Sequence, residues 1–519
     1  GLGKEVIMRK SVKYVAALLA ATMTIGGLTG CVNSASSDTG SNTAASDSNA
    51  GVEESASSDN DYDFYIFNAK GENADALAAA VDTYEAETGL TIKIFSLGSG
   101  TPTEEALRVD MSSDHKPAIF GIMDPQALKE WVEGDFALDL TTADLLPEFK
   151  ALADDLDPGL RLTMDGQDSY GIPYNVEGYG YIVDKEMIAA LVGEDNVDSF
   201  IEKYKTATYD EFADFVEKVN AYIKDGKGND FALSGQTFSL LAEKNEKAEK
   251  LEGVFSVAGS EKWTYGDHLI NIPIDSVFPN VAAAVNATDE QLDKLYNPMV
   301  AYAKTLDLIT SHAVSERGPE FINSTTNGYD AAVANFANGK TLFIKQGNWC
   351  YTNIKNANSE IVDTLTILPI KMPFEQGDIA VDGLTVEHMN SSIPVFCGNY
   401  YVLNKQVSQH ELEEAQKFLV WLNTSEEGQH YVTEEMAFIP YNADPATTVL
   451  GNSLSDCIIG YMSEGNTLTN AYAGAPARWA TEVFGLKIME EYLTKPEWTE
   501  QDYEDIANYT IASWKEAKQ

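Results

Sequence analysis

Between residues 64 and 122 the sequence repeats one pattern, a short aromatic or β-branched run followed by an amphipathic stretch. Phe64-Tyr65-Ile66-Phe67, Thr91-Ile92-Lys93-Ile94-Phe95 and Ala118-Ile119-Phe120-Gly121-Ile122 read as strands. Between the first two, Ala76, Leu77, Ala80, Val81 and Tyr84 fall on one face of a helix over residues 74–87, and a shorter helix fits Thr103 to Met111. Strands separated by helices pair in parallel, with the helices crossing over a face of the sheet. This pattern confines the chain to the α/β class. Ligands of such sheets sit beyond the carboxyl ends of the strands. Those ends are Asn68-Ala69-Lys70, Ser96-Leu97-Gly98-Ser99 and Met123-Asp124, short polar segments that suit a site and equally suit ordinary turns.

At 519 residues the chain exceeds one core, at roughly 100–200 residues per domain. Thr208-Tyr209-Asp210-Glu211 and Ser408-Gln409-His410-Glu411 are capping boxes, each opening an amphipathic helix. Phe212, Phe215, Val216, Val219, Tyr222 and Ile223 line the first helix, and Leu412, Ala415, Phe418, Leu419 and Leu422 the second. Further strands are expected at Leu342-Phe343-Ile344, Leu365-Thr366-Ile367-Leu368 and Tyr400-Tyr401-Val402-Leu403. The last third reads as helical, including Ala477 to Tyr492 and Thr499 to Trp514.

The N-terminal region is an address. Met8-Arg9-Lys10-Ser11-Val12-Lys13 is basic, and Tyr14 to Gly30 is uncharged with the apolar centre Val15 to Ala21. That is short for a bilayer span and carries the flanks of a secretory signal. The seven residues before Met8 read as an extension of the start. Leu28-Thr29-Gly30-Cys31 resembles a bacterial lipobox, in which the Cys is lipidated and becomes the new N-terminus. From Val32 to Asn60, 27 of 29 residues are Ser, Asn, Asp, Thr, Ala, Gly or Glu. Such a segment buries too little apolar area to offset its ordering entropy and is expected to be a disordered tether, about 30 Å end to end.

The chain holds 81 Asp+Glu against 35 Lys+Arg, a formal charge of −46, and only five Arg. A broad basic face for nucleic acid or anionic lipid is excluded by that balance. No Gly-rich phosphate loop, HExxH, CxxC or Gly-x-Ser-x-Gly elbow occurs, and the six His are scattered. Beyond Cys31 the cysteines are Cys350, Cys397 and Cys457, an odd number that permits one disulfide at most.

Several segments, in order along residues 62–519, are similar to the carbohydrate-binding group (family 1) of extracellular solute-binding lipoproteins of bacterial ABC importers. They are Gly171-Ile172-Pro173-Tyr174 with Gly180-Tyr181-Ile182-Val183-Asp184-Lys185, and the boxed helix with its loop Asp225 to Ser234. Tyr329 to Lys340 with Gly347-Asn348-Trp349, and Phe418 to Gln429 with Ile439-Pro440, complete the set. Asp184 stands where that family usually has Asn.

The resemblance implies a two-lobed, type II periplasmic-binding-protein-like fold, each lobe a mixed, mainly parallel sheet flanked by helices, with a hinge between. Residues 1–30 would be the signal peptide, 31–61 the tether from Cys31, and 62–519 the solute-binding body. The first lobe would span roughly 62–170 with a return around 362–400, and the second would start near 180. The implied function is binding of a carbohydrate, an oligosaccharide first, in the interlobe cleft without chemistry, for an ABC permease. Trp349, Tyr174, Tyr179, Asp124, Asn399, Trp479 and Arg478 are the candidate ligand contacts, with Ser96 and Trp263 behind them. So few arginines count against a polyanionic ligand. Larger oligosaccharide binders of the group carry a calcium loop where this chain has Asp225 to Asp230, but too few oxygen ligands remain here, so no metal or cofactor is expected. The protein would be a monomer, held by lipid alone on the outer face of a cell, of Gram-positive type ahead of a periplasmic location. A receptor for a peptide or amino acid, a tethered glycoside hydrolase and an adhesion lipoprotein are the alternatives.

Overall fold

The computed structural model describes residues 61–98, 103–123, 125–157, 160–227 and 229–519. The leader, Cys31, nearly all of the tether and Asp124 lie outside these residues. In chain order the strands are β1 (Phe64–Asn68), β2 (Ile92–Ser96), β3 (Ile119–Ile122), β4 (Ile172–Pro173), β5 (Glu177–Asp184), β6 (Asp230–Leu233) and β7 (Gln236–Ser239). They continue as β8 (Gly253–Ser256), β9 (Thr341–Gly347), β10 (Leu365–Leu368), β11 (Ile393–Phe396), β12 (Tyr400–Leu403) and β13 (Thr467–Leu468).

The first lobe is built on the sheet β2-β1-β3-β12-β4. β1 pairs in parallel with β2 and β3, as the alternating pattern requires. Every residue of β1 is buried, because helices cover both faces of the sheet. α1 (Ala74–Thr88) buries Leu77, Ala80, Val81 and Tyr84. The helix Gln409–Thr424 packs Phe418 against the Phe64 and Tyr84 rings, at 6.0 and 5.3 Å between centroids. Trp131, on α3 (Pro125–Glu133) after α2 (Thr103–Met111), is buried against Phe120 and Phe136.

The second lobe carries the sheet β13-β11-β5-β9-β8, with β10 also on β5. All eight residues of β5 are buried. Its Tyr181 stacks on Phe212 of the helix Tyr209–Asp225, whose Thr208–Glu211 capping box is formed. Gly180 is required here, since a Cβ would meet the Leu368 carbonyl oxygen at 2.5 Å. β6 and β7 form a separate hairpin.

Three chain segments cross between the lobes. Residues 174–176 join β4 to β5, and residues 397–399 return from β11 to β12. The third passes Ile439, which bridges to Val176, and leads to the helix Ser453–Glu464. Around these crossings the pairing is antiparallel: β12 with β3 and β4, and β5 with β9, β10 and β11. The sheets are therefore mixed but not mainly parallel, because a strand that crosses a hinge and its returning partner run in opposite senses. The return expected around 362–400 comes at the end of that range. β10 pairs with β5 and so stays in the second lobe, and the chain re-enters the first sheet only at Tyr400.

Trp479 is corrected from a cleft candidate to a core residue. It is 0% exposed, donates from Nε1 to Ser513 Oγ, and packs on Trp514 and Phe484 within the C-terminal helical layer. A wide-turned helix, Trp479–Gly485, turns the indole inward, and Arg478 before it takes a left-handed backbone (φ 64°). Replacing Trp479 with Ala should lower unfolding stability by about 3–5 kcal/mol, measured by urea denaturation.

Candidate functional site

Where the crossings meet the second sheet, a cluster of rings gathers. Tyr179 near the start of β5 stacks on His268, at 4.6 Å between centroids and 27° between planes. Its hydroxyl donates to the His268 carbonyl oxygen. Trp349 lies just past β9, 4.8 Å from His268 and 6.2 Å from Tyr179. Phe396, at the end of β11, stands at 6.0 Å from Tyr179, and Trp263 meets His268 edge-on at 5.1 Å. Tyr329 adjoins Trp263 and donates from its hydroxyl to Asn353 Oδ1.

The local sequence explains how these rings converge. β9 ends in Gly347, where a Cβ would run into the Trp349 ring at 2.3 Å, so only glycine lets the indole fold back over the strand end. The Trp349 Nε1 is fixed by Gln346 Oε1 at 3.0 Å. Asn348 accepts from the Gly178 backbone and donates to the Val176 carbonyl, which ties the ring cluster to the first crossing.

The first lobe faces this cluster with the loop after β1. Lys70 reaches Glu177 at the head of β5, Nζ to Oε1 at 3.0 Å, with both side chains buried. Burial works to discharge Lys70, but Glu177 and Glu72 hold it charged and leave its pKa above that of an ordinary lysine. Burial pushes the Glu177 carboxyl up against the pull of Lys70. Asn68 donates to Asn73 and Ser96 and accepts from the Tyr174 hydroxyl. On the crossings themselves, Asn175 is 0% exposed and neither its Oδ1 nor its Nδ2 has a partner, and the Oδ1 of Asn399 is also unpartnered. A buried polar atom left without a bond costs about 1–3 kcal/mol, so unfilled amides between two lobes are a place for a polar ligand group.

Within the ring cluster sit two basic groups. Lys345 of β9 bonds to His268 Nδ1 at 3.0 Å. Burial, with the charges of Lys345 and Lys70 nearby, pushes the His268 pKa well below 6.5. Burial likewise lowers Lys345, against the pull of Asp267. Cys350 and Cys397 are buried beside the same crossings, and burial raises both thiols to about 12. Cys457 is partly exposed, and none of the three forms a disulfide among the described residues.

Of the sequence candidates, Trp349 and Tyr179 stand in the ring cluster, Tyr179 fully buried (0% exposed) as a packing member and Trp349 nearly buried, and the partly exposed Trp263 borders it. Asn399 lies on the crossing, where its carbonyl accepts from the Tyr174 amide. Tyr174 is buried and stacked on Tyr401 at 3.6 Å, with only its hydroxyl turned toward Asn68. Ser96 is partly exposed at the end of β2. Arg478 is exposed, and its charge acts on Glu130, which already holds Arg108 by two bonds of 2.7 and 2.8 Å. It belongs with the contact between the lobes, where Gln126 Nε2 also donates to the Gly474 carbonyl. His268, Lys345, Tyr329, Lys70 and Glu177 were not singled out from the sequence. A lysine inside the apolar run Leu342-Phe343-Ile344-Lys345 was the signal available for one of them.

A histidine that folding keeps neutral takes up a proton more readily once unfolded. Its contribution to stability is full above the ordinary pKa of 6.5 and is lost as the pH falls below it. The melting temperature should therefore drop on acidification through this range. His268→Gln should flatten that part of the profile, as read by thermal denaturation from pH 8 to pH 5.

The description "Bacterial extracellular solute-binding protein" matches residues 79–452. No curated protein sequence matches the chain. Among solved structures, a chitin oligosaccharide binding protein superposes with a TM-score of 0.57 at 16% identity, covering 87% of this chain and 98% of the other. The solute-binding protein RafE in complex with raffinose gives 0.55 at 15% identity, covering 88% and 99%. A family 1 extracellular solute-binding protein from Bifidobacterium longum subsp. infantis gives 0.53 at 15% identity, covering 87% and 98%. At such identity the likeness is one of fold, the two-lobed type II arrangement. With the family match running over most of its length, the chain belongs to the bacterial extracellular solute-binding proteins.

Proposed function

We propose that this protein is the carbohydrate receptor of an ABC import system, binding an oligosaccharide between its lobes and releasing it unaltered to the permease. The observation that carries this reading is the cluster of Trp349, Trp263 and Phe396, packed on the buried Tyr179 and His268, beside the unpartnered amide of Asn175 and the unpartnered Oδ1 of Asn399. Sugars present apolar C–H faces that flat rings cover, and hydroxyls that amides satisfy by donating and accepting at once. The structural neighbours whose names state a chitin oligosaccharide or raffinose support the same class of ligand. Binding and release ask for no nucleophile and no cofactor, only for lobes that close on a ligand and open again. In this reading the protein acts as a monomer, tethered outside the cell by a lipid on Cys31. No helix among the described residues is long and apolar enough to cross a membrane.

A ligand that binds only the folded state raises stability by RT ln(1 + [L]/Kd), about 2.7 kcal/mol at a hundredfold excess over Kd. Thermal-shift screening against mono- and oligosaccharides should therefore give one clear class of stabilising sugars. Stabilisation by peptides or amino acids alone would overturn the carbohydrate reading, and cleaved products would overturn binding without chemistry. Trp349→Ala should weaken calorimetric affinity by about tenfold or more, the loss of one stacked ring at a binding hot spot. Cys31→Ala should shift the protein from the membrane fraction to the medium, as read by immunoblot.

A further inference from the structure

A neutral sugar leaves Lys345 without a task. Its Nζ lies 5.6 Å from the centre of the Tyr179 ring and 6.0 Å from that of Trp263. Its hydrogen bond goes to a second basic group, His268. Among the described residues no carboxylate pairs with it, although the chain has 81 Asp+Glu to offer. Asp267 acts on it through space and accepts from Thr481 Oγ1 at 2.7 Å. On the first-lobe side Lys70 is already matched by Glu177, with Glu72 acting on it as well. An ammonium drawn out of water with no carboxylate in contact is costly, and burial lowers its pKa against the more distant pull of Asp267. An incoming carboxylate would reverse that cost with a charge-assisted hydrogen bond.

We propose that the cleft takes a saccharide carrying one carboxylate, a hexuronic acid residue in an otherwise uncharged glycan, and that Lys345 receives that carboxylate. One unmatched cation suits one anion. A chain with five Arg and a net charge of −46 is poorly made for a polyanion, and a single group placed against Lys345 meets this limit. The partly exposed ring of Trp263 then flanks the acidic sugar, with the buried Tyr179 ring behind it. The inference rests on the carbohydrate reading and adds the charge of the sugar to it.

The test is calorimetry of the full chain against galacturonate and glucuronate oligosaccharides, each as the free acid and as its methyl ester, with neutral oligosaccharides of equal length alongside. The free acid should bind about tenfold or more tightly than the ester. Lys345→Met, checked for folding by circular dichroism, should bring the ratio of acid to ester affinity down to about one. Should the variant fail to fold, the acid and ester arms on the unaltered protein decide alone. Equal or tighter binding of esters or neutral sugars would overturn the charged-sugar proposal and leave the carbohydrate reading intact. Binding of no saccharide in any arm would overturn both.

Discussion

The ion pair between Lys70 and Glu177 is the contact on which the geometry of the cleft depends. It joins the loop after the first strand of one lobe to the head of the longest strand of the other, at a point where both charges are buried. Losing one partner of such a pair costs about 3–5 kcal/mol, because the other charge stays enclosed without a counter-ion. The two positions are 107 residues apart in sequence. A Cβ on Gly398 would meet Glu177 Oε1 at 2.5 Å, so the returning crossing must present bare backbone to the carboxylate. The outgoing strand, the returning strand and the first-lobe loop are thus fixed to one another before any ligand arrives.

From that anchor the binding surface follows by short steps. Asn348 bonds to both sides of Glu177 along the backbone, which fixes the turn carrying Trp349. Trp349 and Tyr179 enclose His268, and His268 holds Lys345. Asn175 and Asn399 stay unmatched on the crossings because the backbone there already pairs with itself, Tyr174 amide to Asn399 carbonyl. Rigid crossings with idle side-chain amides are a reasonable outcome of selection for binding rather than for stability, since each idle group costs stability in the empty protein.

Much of the fold was legible because period and capping are local signals. The strands at 64–67, 92–95, 119–122, 365–368 and 400–403, and the two boxed helices, follow from residues within a few positions of one another. Antiparallel pairing at the hinge was not legible, since it depends on which distant strand each crossing segment meets. The site divides along the same line. Trp349 is marked by the Gly347-Asn348-Trp349 segment that resembles the family. His268 comes from a helix of wide turns with no periodic signature, and only the fold sets it beside Lys345. Trp479 carries no local mark of its burial, because its indole is directed by contacts with Trp514, 35 positions later.

The buried cysteines beside the crossings have a consequence for durability. A thiol becomes an effective nucleophile only as the thiolate, and Cys350 and Cys397 are both held in the protonated form far above neutral pH. They behave as small apolar side chains. Thiol–disulfide exchange at these two positions beside the crossings is correspondingly slow at neutral pH.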